Sequence, residues 1–142
     1  MTVKKIFKKK AFWIPTCIFL GLVLVVALCL LSNSPYRRSE DYIKSWIKEQ
    51  LPVGTEKEEV LAWLADERGL DSFREIDGGY DSYYDYTLTE EEREKNEIIG
   101  VTSIHAFYSY KRIFDVDGTI FFGFDENDRL VAVGVQEDCD TL

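Results

Sequence analysis

Apolar and polar positions divide this chain into three regimes. From Ala11 to Leu31 nearly every residue is apolar, and no charge occurs between 11 and 36. At about 1.5 Å per residue those 21 positions would reach roughly 32 Å as a helix, the thickness of a bilayer's hydrocarbon core. From Glu40 the pattern becomes helical: Tyr42, Ile43, Trp46, Ile47 and Leu51 recur at three- and four-residue spacing among Lys and Glu. Ser39 is placed to cap that helix and Pro52 to stop it. Gly54 then turns the chain into a second helix. There Thr55-Glu56-Lys57-Glu58 reads as a capping box, Val60, Leu61 and Leu64 face inward, Trp63 borders them and Gly69 closes the end in the left-handed conformation.

Beyond Gly69 the period shifts towards two. Ser72–Ile76 is a weak strand or an extended lead-in, and 98–113 reads as one long β-branched and aromatic strand. Thr119–Phe124 and Leu130–Gln136 are the clearest strands. Ile120, Phe122 and Phe124 share one face, as do Val131, Val133 and Val135. For these faces to coincide, opposed residues must sum to an odd number, as in Phe124 against Val131, which implies an even loop within Asp125–Arg129. The expected fold is therefore α+β: an N-terminal transmembrane helix, then two helices on a three-stranded antiparallel sheet. The corresponding division is a basic tail at 1–10, an anchor at 11–31, a linker at 32–39 and an α+β domain at 40–142.

Charge orients the expected anchor. Lys4, Lys5, Lys8, Lys9 and Lys10 precede it and no acid occurs before Glu40, so the N-terminus is expected on the cytoplasmic side. This reading makes a single-pass inner-membrane signal-anchor protein, touching membrane lipid through residues 11–31, with its folded part periplasmic or extracellular. Two alternatives share the basic start. A cleaved signal peptide meets poor sites, because Pro35 follows Ser34 and Ala27-Leu28-Cys29 lacks a small final residue. Lipidation at Cys29 meets Leu28 where a small residue is wanted.

Residues 32–142 carry all 26 acids against 12 Lys and Arg, a net of about −14, which argues against nucleic acid as a partner. Cys17 and Cys29 lie in the apolar run and only Cys139 lies beyond it, so the domain has no internal disulfide to form.

Candidate chemistry is sparse. Asp115-Val116-Asp117-Gly118-Thr119 matches the nucleophile motif of haloacid-dehalogenase-type phosphatases, in which the first Asp attacks phosphorus, the second serves as acid/base and Mg²⁺ neutralises the phosphate. Only 22 residues follow Ile120, too few for the family's doubly wound domain, so Asp117-Gly118 is expected to be a turn. A calcium loop centred on Gly118 would need ligands at Ile113 and Phe124, which have none to give. His105 is the single histidine and is expected to be structural. No enzyme, cofactor or metal is expected.

The segment 77–97 stands apart, with Gly78-Gly79, then Tyr80, Tyr83, Tyr84 and Tyr86, then Glu90-Glu91-Glu92. One reading is a solvated connection with a helical turn capped by Thr89. The other is a partner-binding loop, because tyrosine offers large amphipathic area at low entropic cost. Those four tyrosines are the candidate partner-binding residues.

The run Leu51-Pro52-Val53-Gly54-Thr55 leading into Glu59-Val60-Leu61 and Leu64, with the closing hairpin Ile120–Asp125 and Asp128–Val131, resembles the SmpA/OmlA-like domain. That is the fold of the small lipoprotein subunit of the bacterial outer-membrane barrel-assembly machinery. The resemblance implies two helices on one face of a three-stranded antiparallel sheet, and an envelope protein that acts by contact with another envelope protein. A further reading makes the chain a membrane subunit acting mainly through its helix.

Overall fold

A computed structural model describes residues 18–26, 34–111 and 115–139. The chain divides into two compact units, 1–34 and 35–142. In the first, residues 18–26 are helical and exposed. The remainder of the expected anchor, 11–17 and 27–31, lies outside the described residues, as does the basic tail. Among the described residues no helix is long and apolar enough to cross a membrane. This finding corrects the expected transmembrane helix, and with it the signal-anchor and single-pass inner-membrane assignments.

In the second unit a 3-10 turn, Pro35–Arg37, precedes α1 (Glu40–Gln50) and α2 (Lys57–Asp66). Strand β1 (Ser72–Ile76) follows, then β2 (Tyr80–Asp81), a 3-10 turn at Ser82–Tyr84, α3 (Glu90–Arg93) and β3 (Ile98–Ile99). Three long strands close the unit: β4 (Thr102–Lys111), β5 (Asp115–Phe124) and β6 (Leu130–Cys139). The main sheet is antiparallel in the order β1-β4-β5-β6, and β2 and β3 form a separate pair. The expected three-stranded sheet is therefore corrected to four strands plus two. The additional strand of the main sheet, β1, buries no alternate face; four of its five residues are exposed, so it shows no period-two signal. The long strand expected over 98–113 is two strands, broken where Gly100 takes φ +83°, a value that suits a residue without Cβ.

Both helices cover one face of the sheet. Ile43, Ile47, Leu51, Val60 and Leu64 pack with Ile104, Ala106, Tyr108, Ile120, Phe122, Phe124, Leu130, Val133 and Val135, and Trp46, Leu61 and Trp63 pack at the margin. The expected linker contributes too: Tyr36 is buried between Trp46 and Tyr108, with ring centroids 5.7 and 5.0 Å away. Gly69 is not left-handed; a Cβ there would stand 1.9 Å from Tyr36 Cε2, so its smallness seats that ring. Ser39 caps α1 as expected, accepting from Tyr42 N–H. Thr55 does not cap α2: its hydroxyl donates to Pro52 O, and the helix starts after Glu56.

The hairpin register follows the odd sum, with Phe122 opposite Val133 and Ile120 opposite Val135. A register shift then sets Phe124 opposite Leu130, leaving Val131 as an extra, exposed residue. That bulge corrects two expectations. Val131 does not face inward with Val133, and the connection Asp125–Arg129 has five residues, with Asp128 at φ 54°.

Candidate interaction surface

The helix-free face of the sheet and its β6 edge meet the segment between β1 and β4. This segment is a built strap. Tyr80 and Asp81 pair with Ile99 and Ile98. The Asp81 carboxylate then accepts from Tyr83 N–H at 2.9 Å, starting the 3-10 turn. Ser82 N–H donates to Glu97 O, and Glu97 N–H to Ser82 Oγ, both at 2.9 Å. Thr89 and Glu92 form a reciprocal capping box on α3, as its Thr-x-x-Glu spacing requires, and α3 packs against the 3-10 turn.

The four candidate tyrosines separate into two pairs. Tyr80 is buried, stacked on Phe121 at 5.2 Å; burial first, then the Asp85 charge, pushes its hydroxyl pKa well above the usual phenol range. Tyr86 is half-buried beneath the Arg93 guanidinium, 5.1 Å from its ring centroid, and its hydroxyl accepts from Gln136. Tyr83 and Tyr84 are 52% and 47% exposed and lie edge to face at 5.4 Å. The structure does not bring the four together: two serve the fold, and two stand side by side in solvent.

Asp85 was not singled out in the sequence, yet it is the most deeply buried acid described, 1% exposed. Its Oδ1 accepts from Val135 N–H at 3.2 Å and Thr87 N–H at 3.1 Å, and from the Thr87 hydroxyl. Its Oδ2 pairs with Lys44 of α1 at 3.3 Å, and Lys44 also donates to Thr87 Oγ1. Tyr86 N–H donates to Val135 O at 2.9 Å. Residues 85 and 86 thus occupy both outward backbone groups of Val135 on edge strand β6. Gly134 lets the carboxylate come so near, since a Cβ there would lie 2.7 Å from Asp85 Cγ. A signal was present in sequence: Asp85-Tyr86-Thr87 is an Asx-type arrangement, but its target lies 50 residues away.

Two further positions on the β6 edge are occupied. Leu130 exchanges hydrogen bonds with Gly54 and Thr55, and Glu40 Oε1 accepts from Glu137 N–H at 3.0 Å. Burial holds the Glu40 carboxyl above the ordinary carboxylate range, against the lowering effect of that bond. Edge groups met in this way are closed to pairing with another chain.

Asp115 and Asp117 do not form a turn. They lie within β5 on one exposed face, opposite Lys111 and Ser109, and Lys111 sits 3.7 Å from Asp115. Gly118 is the point where the Tyr108 ring crosses the strand, 2.0 Å from where a Cβ would stand. The chain joining β4 to β5, 112–114, lies outside the described residues. His105 contacts Ser103 Oγ at 3.2 Å and meets Phe121 edge-on at 4.9 Å. Burial, then the Arg74 charge, lowers its pKa. Among the described residues no group of three or more His, Cys, Asp or Glu could hold a metal ion. No protein family, curated protein or solved structure matches the chain.

Proposed function

We propose that residues 35–142 form a protein-interaction domain that acts by contact rather than by catalysis, with Tyr83 and Tyr84 as its contact residues. One observation carries this reading: two large aromatic side chains stand exposed and adjacent on a short, capped turn whose neighbours are pinned to the sheet. Exposed tyrosine on a fixed backbone loses little entropy on binding and supplies area and a hydroxyl together. The resemblance to a lipoprotein family that works through protein contact points the same way.

The test is co-purification from native cells with the full-length chain, comparing wild type with Tyr83→Ala/Tyr84→Ala. The proposal expects a discrete partner with wild type, and its recovery to fall by about tenfold or more in the double variant, the loss typical of aromatic anchors. Equal recovery would remove the tyrosine pair from the account.

A further inference from the structure

We propose that residues 82–97 open and close as a unit, and that Asp85 is the latch that holds them shut and so positions Tyr83 and Tyr84. The part of this proposal that concerns binding rests on the function proposed above; the latch does not.

The segment has the build of an Ω-loop, a compact run of up to about 16 residues whose ends meet and whose interior is packed by its own side chains. Its ends are tied by the Ser82–Glu97 pair of hydrogen bonds. Its interior is held by the Asp81 cap, the Thr89–Glu92 box and the Arg93–Tyr86 contact. Below it the neck is firm, because Tyr80 is buried on Phe121 and β2 pairs with β3. The hydrogen bonds tying the loop to the body of the domain converge on residues 85–87: Lys44 to Asp85 and Thr87, Val135 N–H to Asp85, Tyr86 N–H to Val135 O, and Gln136 to the Tyr86 hydroxyl.

An attachment so concentrated and so polar gives an all-or-none closure. Asp85 with its two oxygens engaged satisfies Lys44, Thr87 and the β6 edge together; displaced, it leaves all three without it at once. Removing one partner of a buried charged cluster costs more than removing an exposed pair, because the remaining groups keep their desolvation. The loop therefore releases before the core does. Its two exposed tyrosines lie one and two residues from the latch, so their direction is fixed only while Asp85 is seated.

Native-state hydrogen exchange on the full-length chain tests this, using Asp85→Ala and, from the sheet side, Gly134→Ala, whose new methyl would meet the carboxylate. Each variant is expected to raise exchange at 82–97 by about tenfold or more, while amides of β4 and β5 exchange as in wild type. Unchanged exchange at 82–97 in both variants would overturn the latch. Equal acceleration in the loop and in β4 and β5 would overturn the loop as an independent unit. If exchange behaves as expected but the Tyr83→Ala/Tyr84→Ala chain still recovers its partner, the latch stands and the tyrosine contact falls.

Discussion

A Cβ on Gly118 would lie 2.0 Å from Tyr108 Cζ, and that ring is not free to give way. Its hydroxyl donates to Glu137 at 2.9 Å, and the ring packs against Tyr36 with centroids 5.0 Å apart. Gly118→Ala is expected to cost about 1–3 kcal/mol, the usual range for overpacking a tight core, read as a lower urea midpoint with unchanged slope; an unchanged midpoint would contradict the packing. Gly69 serves Tyr36 in the same way. In sequence both glycines read as turn or cap residues, because local rules see a glycine's backbone but not the ring that crosses it from elsewhere in the chain. His105 carries a pH signature of defined sign. Its folded pKa is lowered, so between that value and the unfolded value near 6.5 the unfolded chain binds more protons. Its contribution is present above about pH 6.5 and is lost as pH falls through the folded value. The stability difference between wild type and His105→Asn should therefore shift against wild type from pH 7.5 to pH 5.5. A difference flat with pH would show that the imidazole titrates normally.

At the scale of elements, strands with a buried face were legible and those without were not. The odd-sum register of β5 with β6 followed from two apolar sets that had to share a face, and it holds at Phe122–Val133 and Ile120–Val135. The bulge at Val131 was not legible, since strict alternation groups Val131 with Val133 and Val135, and only the shifted pairing of Phe124 with Leu130 sets it outside. The distinction can be measured. Val133 is 1% exposed and Val131 38%, so Val133→Thr is expected to cost about 1–3 kcal/mol through a buried hydroxyl. Val131→Thr should stay within about 0.5 kcal/mol. Equal costs would mean that the register is wrong. Strand β1 escaped because it is an edge with four exposed residues. Its Arg74 and Glu75 belong to the charged class that discourages edge-to-edge pairing, with Arg74 over the Phe107 ring and Glu75 on Lys57.

For the whole molecule, apolar runs and charge marked out a unit of two helices and a sheet, and the tyrosine-rich segment stood out as separate in character. Sequence could not say which tyrosines belonged to the fold. Tyr80 and Tyr86 differ from Tyr83 and Tyr84 by what lies across from them, Phe121 and Arg93 in one case and solvent in the other. Nor could local pattern place Asp85, whose partners come from α1 and β6. The apolar run at 11–31 read as a membrane span on length and hydropathy alone, and no described helix meets that length. The division among the tyrosines predicts opposite stability effects in denaturant titration. Tyr80→Ala should cost about 3–5 kcal/mol, as for a buried aromatic, and Tyr83→Ala/Tyr84→Ala should stay within about 0.5 kcal/mol per site.

The central claim is that the exposed tyrosine pair, and not another part of the acidic surface, meets the partner. Site-specific photo-crosslinking in the native cell tests it most directly, with benzoylphenylalanine replacing Tyr84 in one chain and Glu126, exposed in the β5–β6 connection, in another. The account predicts a discrete crosslinked species from position 84 and none from position 126. No crosslink from position 84, or the same species from both positions, would contradict it.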